Sequence, residues 1–161
     1  MDFAERRDFL KKAIVGGGTA ALGASLVWAQ DHFLDSVDES LWKGINRLKN
    51  PQNETGLEKL HIPVIDAPQS VKAGDIFDVG IVIGKTIHPM GPTHWIEYVQ
   101  LGIGNEPGGM VTFRSHGYVK PISRFGVVLN QNLIGKKISL IATLKCNLHG
   151  IWQHYVDVEV V

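Results

Sequence analysis

The sequence has a single cysteine, Cys146, among its 161 residues. A lone thiol cannot form a disulfide within its own chain, so the disulfide framework common in exported proteins is excluded. Cys146 is therefore either an inert apolar side chain or a ligand. His149 follows it three positions later, between a strand-like run and a glycine-bounded turn.

The chain also lacks an excess of either charge, with 16 basic and 16 acidic side chains. Without residues 1–29, 12 basic and 13 acidic side chains remain. Such a near-neutral chain does not attract nucleic acid or an anionic membrane surface by bulk electrostatics, so neither partner is expected. The roughly 130 residues that remain suffice for one domain with its own core and are too few for two.

The N-terminal region has only a mildly apolar stretch, from Ala13 to Gln30, which is near the lower length limit for a bilayer span. Arg6 and Arg7 precede it and are followed by Phe-Leu-Lys, and this arrangement resembles a twin-arginine export signal. We expect residues 1–29 to be a signal peptide cleaved after Ala29, with a retained membrane anchor as the alternative. The folded part is then expected to work outside the cytoplasm, in the periplasm.

Residues 30–56 and 57–161 differ in their hydrophobic period. Apolar residues spaced about four apart predict a short amphipathic helix within residues 30–56, which turn signals such as Asn50-Pro51 end. Beyond residue 56 the period is two, and strands are predicted at residues 77–83, 94–101, 110–114, 126–130, 138–146 and 152–160. About seven short strands predict an all-β, immunoglobulin-like antiparallel sandwich or barrel, with GIGNEPGG at 102–109 as a hairpin connection.

Seven histidines are the main candidates for chemistry. His154 shares the apolar parity of its strand and is predicted to be a core or interface residue, while solvated roles are the default for His32 and His116. The other four fall at predicted strand or loop edges: His61, His88, His94 and His149. Together with Cys146 they offer five donors, which exceeds a tetrahedral zinc site and suits redox-active iron or copper.

Three segments carry a family resemblance: LHIPVIDAP at 60–68, HPMGPTHWIEYVQL at 88–101 and KCNLHGIW at 145–152. They resemble the iron-site segments of superoxide reductase in its one-iron form, neelaredoxin, a relative of desulfoferrodoxin. The spacing of six between the two central histidines and the Cys-Asn-x-His-Gly frame are both kept. The second iron domain of the two-iron relatives needs four thiolates, so it is not expected in a sequence with a single cysteine.

The resemblance implies one ferrous iron per chain, with four equatorial histidines, an axial cysteine and an open sixth position. The implied ligands are His61, His88, His94, His149 and Cys146. It further implies one-electron reduction of superoxide to hydrogen peroxide, re-reduction by an external donor such as a rubredoxin-like protein or a cytochrome, and assembly into dimers or tetramers.

One departure from the family pattern precedes the first ligand. A Glu-Lys pair stands directly before that histidine in the family, whereas here Leu60 intervenes in Glu58-Lys59-Leu60-His61. In an extended loop, a shift of one residue turns a side chain to the opposite face. Lys59 is expected to attract incoming superoxide and Glu58 to be a sixth ligand of oxidised iron, with a solvated surface pair as the alternative for both.

Two other functions fit parts of the sequence. A blue-copper electron carrier would use two histidines, the cysteine and usually a methionine after that cysteine, but the methionines here all precede Cys146. A non-metal, immunoglobulin-like carrier of sulfur metabolism would use Cys146 for covalent attachment, with structural histidines. Metal content separates these alternatives.

Overall fold

The computed structural model describes residues 43–161, so the expected signal peptide and most of the expected helix at 30–56 lie outside the described residues. The described part is mostly β-strand. Its elements are β1 (Ile45–Asn46), α1 (Gly56–His61), β2 (Pro63–Asp66), β3 (Ser70–Val71), β4 (Ile76–Ile83), β5 (Ile96–Ile103), β6 (Glu106–Thr112), β7 (Ile122–Val128), a 3-10 turn (Gln131–Leu133), β8 (Lys137–Cys146) and β9 (Gly150–Val160).

The strands form two sheets that share one core. The larger sheet has the order β1-β9-β8-β5-β6, with β3 also paired to β9, and the smaller has the order β2-β4-β7. All pairings are antiparallel except those of β1 and β3 with β9. Inward-facing residues of both sheets meet in one buried cluster, which confirms the predicted all-β class.

Burial alternates along the long central strands, as a period of two requires. In β4 the fully buried residues are Val79, Ile81 and Ile83, and in β8 they are Leu140, Ala142, Leu144 and Cys146. The predicted hairpin at 102–109 is also confirmed, because β5 and β6 pair across a tight turn at Gly104 and Asn105. Cys146 is the last of these inward-facing residues of β8, so its thiol lies at the end of the core.

The helix predicted within residues 30–56, with its end at the Asn50-Pro51 turn signal, is wrong for residues 43–50, which contain no helix. There Ile45 and Asn46 form β1, which pairs in parallel with β9, and the side-chain Nδ2 of Asn46 donates to the Ile151 carbonyl at 2.9 Å. The edge of β9 offers unpaired backbone groups, and pairing with them satisfies the chain better than an isolated helical turn. Among residues 43–161, no helix is long and apolar enough to cross a bilayer.

A helix forms instead at α1, where strand or loop was expected. Thr55 caps it: the Glu58 backbone N–H donates to the Thr55 hydroxyl at 3.2 Å, and the Thr55 N–H donates to the Glu58 carboxylate at 2.8 Å. This reciprocal pair is a capping box, which satisfies two backbone donors of the first turn. The helix ends at His61, so its C-terminus places the first candidate ligand.

Candidate metal centre

The five candidate ligands converge at one end of the two sheets. His61 ends α1, His88 lies in the turn after β4, and His94 stands two residues before β5. Cys146 is the last residue of β8, and His149 lies in the turn that leads into β9. Pairing brings these places together, because Cys146 is opposite both Ile96 and Gly150 in neighbouring strands. All five side chains are buried, with at most 3% of any of them exposed.

The four imidazoles stand in a cycle around a common centre. Ring centroids of neighbours are 4.4–4.7 Å apart for the pairs His61–His88, His88–His94, His94–His149 and His149–His61, and 5.8 Å apart for His61 and His94 across the cycle. The inward nitrogens are Nε2 of His61, His88 and His94, and Nδ1 of His149.

The spacing of these nitrogens fits a square of ligands. The His61 Nε2 atom lies 3.1 Å from His88 Nε2 and 3.0 Å from His149 Nδ1, which in turn lies 3.1 Å from His94 Nε2. A square with such edges has its centre about 2.2 Å from each corner, close to the roughly 2.1 Å of a metal–imidazole bond. Tetrahedral bonds of that length would separate the nitrogens by about 3.4 Å. All three separations are shorter than the tetrahedral value, as expected for nitrogens at neighbouring corners of a square.

The Cys146 sulfur lies beside this square. It is 3.5 Å from His149 Nδ1, and the donor atoms of Cys146, His61, His94 and His149 all lie within 4.8 Å of one another. Its side chain is fully buried at the end of β8. A soft thiolate with several imidazoles is a donor set for a redox-active transition metal rather than for magnesium or calcium.

Backbone carbonyls fix the tautomers of two of the rings. His61 Nδ1 lies 2.8 Å from the Leu57 carbonyl, and His88 Nδ1 lies 2.6 Å from the Pro89 carbonyl. Each carbonyl accepts a hydrogen bond from the Nδ1–H group, so Nδ1 carries the ring proton and the inward Nε2 keeps its lone pair. Burial lowers the pKa of His61 to about 3 and, together with the neighbouring histidines, that of His88 to about 2. The rings are therefore neutral at physiological pH, as metal ligands must be.

Asn147 joins the two loops that carry the other ligands. Its Nδ2 donates to the Thr93 carbonyl at 2.9 Å, its Oδ1 accepts from the Trp95 N–H at 2.8 Å, and its own N–H donates to the Trp95 carbonyl at 3.1 Å. These bonds hold the residues on either side of His94 against the residue after Cys146. Sequence reasoning missed this role, although Asn147 stands inside the Cys-Asn-x-His-Gly frame.

Met90 and Trp152 also support the site and were missed as contributors. The Met90 sulfur accepts from the Ile96 N–H at 3.4 Å and anchors the loop between His88 and His94. Trp152 stacks on the His61 ring with centroids 5.1 Å apart. Each side chain is 2% exposed, and a periodicity argument assigns such residues to the core without showing that they contact a site.

The structure places Glu58 and Lys59 on a helix and not on the extended loop assumed from the sequence. Successive helical residues turn by about 100°, so Glu58 shares the buried face of His61, while Lys59 is about 200° away from it. Both Glu58 oxygens are occupied, since they accept from the Thr55 N–H at 2.8 Å and the Lys49 N–H at 2.9 Å. These hydrogen bonds hold the pKa of Glu58 below its ordinary value, and the bond from the Thr55 N–H has the largest effect. Lys59 is exposed to solvent.

The remaining histidines do not join the cluster within the described residues. His116 is exposed in the loop before β7, and His154 is half-buried on β9. Burial, with Lys85 nearby, lowers the pKa of His154. His32 lies outside the described residues.

Comparison with known proteins gives consistent matches over this region. The family model described as desulfoferrodoxin matches residues 53–155. A superoxide reductase of Pyrococcus abyssi is 33% identical over 132 residues, covering 78% of this chain and 97% of the relative. A superoxide reductase of Thermococcus kodakarensis is 35% identical over 106 residues, covering 62% of this chain and 87% of the relative.

A solved structure agrees in fold. The superoxide reductase (neelaredoxin) from Ignicoccus hospitalis superposes with a TM-score of 0.61 at 30% sequence identity. The match covers 76% of this chain and 98% of that one. The similarity therefore extends over nearly the whole of the compared protein.

Proposed function

We propose that this chain, which belongs to the desulfoferrodoxin family, is a superoxide reductase that works at one mononuclear non-haem iron. The observation that carries the proposal is the cycle of four buried imidazoles beside a single buried cysteine. Ferrous iron, when bound, supplies the one electron that, with two protons, converts superoxide into hydrogen peroxide.

The five side chains would hold the ion as follows. His61, His88, His94 and His149 would supply nitrogen ligands, and Cys146 would supply a thiolate ligand. Four neutral imidazoles and one thiolate leave a divalent ion with a net charge near +1, which attracts a small anion. The spacing of the nitrogens supports this assignment over a tetrahedral site, and a blue-copper site would leave two of the four converging histidines without a role.

The roles proposed for Lys59 and Glu58 follow from their places on α1. The solvent-exposed Lys59 would act as a long-range steering charge. At a separation of about 10 Å in water, one unit charge contributes about 0.4 kcal/mol, so we expect Lys59→Ala to slow the reaction with superoxide about twofold. Both Glu58 oxygens bind backbone N–H groups, which supports a role in building the helix rather than in binding oxidised iron.

The cellular setting is also proposed. We infer that residues 1–29 export the chain by the twin-arginine route, that residues 30–56 link to the β domain at 57–161, and that the protein works in the periplasm. An external electron donor would re-reduce the iron, and the chain would form dimers or tetramers. The arginine pair and the uncharged stretch after it support export.

The decisive experiment measures metal and reactivity together. Purified protein should hold one iron per chain, with a sulfur-to-ferric absorption band that bleaches on reduction. Stopped-flow mixing of the reduced protein with superoxide should yield one hydrogen peroxide per superoxide and no oxygen. The control variant Cys146→Ser keeps the four imidazoles and should lose the absorption band. Copper in place of iron would favour the blue-copper electron carrier, and protein that binds no metal would favour the non-metal carrier of sulfur metabolism.

A further inference from the structure

Trp152 contacts two of the proposed ligands at once. Its ring lies nearly parallel to that of His61, with 19° between the planes and 5.1 Å between the centroids. Its indole Nε1–H donates to the His149 backbone carbonyl at 2.8 Å. We propose that Trp152 is a positioning residue that fixes His61 and His149 relative to each other at the metal site. This inference rests on the proposed function.

The hydrogen bond acts on the ligand that has the least freedom. His149 faces the cluster with Nδ1, whereas the other three histidines use Nε2. In histidine, Nδ1 is bonded to Cγ, the ring carbon attached to Cβ. It therefore lies closer to the backbone than Nε2 does. A small shift of the His149 backbone therefore moves its donor atom directly. The next residue, Gly150, has φ +71°, and the Trp152 bond closes this left-handed turn.

The stacking contact acts on the neighbouring ligand. The Leu57 carbonyl fixes the outer nitrogen of His61, but one hydrogen bond still lets the ring tilt about it. A parallel indole face restricts that tilt, as aromatic pairs prefer defined offsets. His61 Nε2 and His149 Nδ1 lie 3.0 Å apart and form one edge of the square. Trp152 contacts both residues and therefore fixes the length of that edge.

A purely structural role is the alternative, since Trp152 is 2% exposed and faces Leu144 across the sheet. Core packing alone would not need an indole N–H aimed at a ligand's carbonyl. The two functions of the indole can be separated by substitution. Trp152→Phe keeps an aromatic face and removes the donor, whereas Trp152→Leu removes both.

The test measures metal affinity and not turnover. The metal-free full-length chain is titrated with Co²⁺ in the presence of a competing chelator, and the sulfur-to-cobalt absorption band is recorded. Outer partners of ligands typically contribute about 10- to 100-fold in metal affinity. We expect Trp152→Phe to weaken Co²⁺ binding about tenfold and Trp152→Leu about 100-fold, with a shifted band in both.

Val158→Ala is the matched control. Val158 is fully buried on the same strand, about 20 Å along it from Trp152 at about 3.3 Å per residue. It should lower the urea midpoint of the metal-free protein and leave the Co²⁺ affinity within twofold of the parent. At an equal loss of urea midpoint, the tryptophan variants should bind Co²⁺ much more weakly than Val158→Ala does.

Two results would overturn the inference. One is a Co²⁺ affinity of Trp152→Phe within twofold of that of the parent, with an unchanged absorption band. If Trp152→Leu does not fold, the comparison of Trp152→Phe with the parent is sufficient by itself. The other is a loss of affinity in Val158→Ala as large as that in the tryptophan variants. A parent protein that binds neither Co²⁺ nor Fe²⁺ would instead refute the proposed function itself.

Discussion

Replacing Glu58 tests whether this carboxylate builds the helix that presents His61. One oxygen accepts from the Lys49 N–H at 2.9 Å and the other from the Thr55 N–H at 2.8 Å. Glutamine has nearly the same shape, but only one of its two terminal atoms is an acceptor. In Glu58→Gln one of the two backbone donors therefore loses its partner, and in Glu58→Ala both do.

The expected magnitude follows from these contacts. A hydrogen bond to a charged group contributes about 1.5–3 kcal/mol, and Glu58 is 5% exposed, so water replaces the lost bonds poorly. We expect Glu58→Gln to lower the free energy of unfolding by about 2 kcal/mol. The corresponding change in Tm is about 8 °C for a domain of this size. Glu58→Ala should lower the free energy of unfolding by about 3–4 kcal/mol.

The assay is urea and thermal unfolding of metal-free protein, followed by far-UV circular dichroism. Metal must be absent because a ligand bound only to the folded state adds stability by mass action. The control is Glu97→Gln, which removes a carboxylate from a half-exposed ion pair with Lys145. Such pairs contribute about 0–1 kcal/mol, so this variant should unfold close to the parent.

A dependence on pH provides a second signature. Since the folded state holds the pKa of Glu58 below its ordinary value of 4.5, its contribution is complete above that value and is lost as the pH falls through the folded pKa. The difference between parent and Glu58→Gln should therefore shrink in acid. Equal stability of the two proteins at pH 7, or a new absorption change of the oxidised iron in Glu58→Gln, would refute the structural role.

Two further predictions concern the surroundings of the ligands. The pKa values of about 3 for His61 and about 2 for His88 lie below the ordinary 6.5, so the unfolded chain binds more protons below pH 6.5. The free energy of unfolding of metal-free protein, obtained from urea titrations, should therefore fall as the pH is lowered from 6.5, with a slope approaching about 3 kcal/mol per pH unit for the two rings, and His88→Gln should reduce that slope; a flat profile would contradict burial of neutral rings. Gly84 has φ +82°. A Cβ added there would lie 2.2 Å from the carbonyl oxygen of Thr86, in the turn before His88, and 2.5 Å from that of Leu60, in α1. Gly84→Ala should cost more than about 3 kcal/mol and reduce metal binding, whereas Gly104→Ala, with φ +59° and open space, should cost about 1–2 kcal/mol; similar unfolding midpoints for the two variants would contradict the close approach.

Much of the β architecture could be predicted from alternation. Val79, Ile81 and Ile83 alternate with partly exposed residues in the sequence and in the structure, and β8 and β9 begin within two residues of their predicted starts. The predicted starts of β6 and β7 are four residues too late and the predicted ends two residues too late, because glycine, proline or polar residues interrupt the apolar pattern at the beginning of each strand. The short strands β1, β2 and β3 were not predicted, since two to four residues are too few to show a period.

The N-terminal side of the domain was predicted less well for a different reason. Apolar residues such as Ile45 and Leu48 have helical spacing, but the edge of β9 offers backbone partners that no local pattern reveals. The capping signature Thr55-x-x-Glu58 was visible in the sequence and marks the start of α1. Its neighbours Pro51 and Gly56 favoured a turn, and the helix of six residues is too short for periodicity to detect.

The candidate site was identified mainly through the family resemblance. Spacing alone left Cys146 as filler or ligand, and it could not show that four histidines from separate segments face one point. The structure supplies that convergence and the supporting contacts of Asn147 and Trp152. Such contacts join residues far apart in the sequence, so they follow from tertiary packing and not from local pattern.

His61 and His149 have ring nitrogens 3.0 Å apart, although the two residues are separated by 88 positions along the chain. An ion held between them would link α1 to the turn before β9, so both side chains can bind it only after these distant parts of the chain have come together. Contacts of such long range are costly to form in an unfolded chain. Metal uptake should therefore be one of the last events of maturation, and retention of the ion would report that the whole domain is correctly assembled.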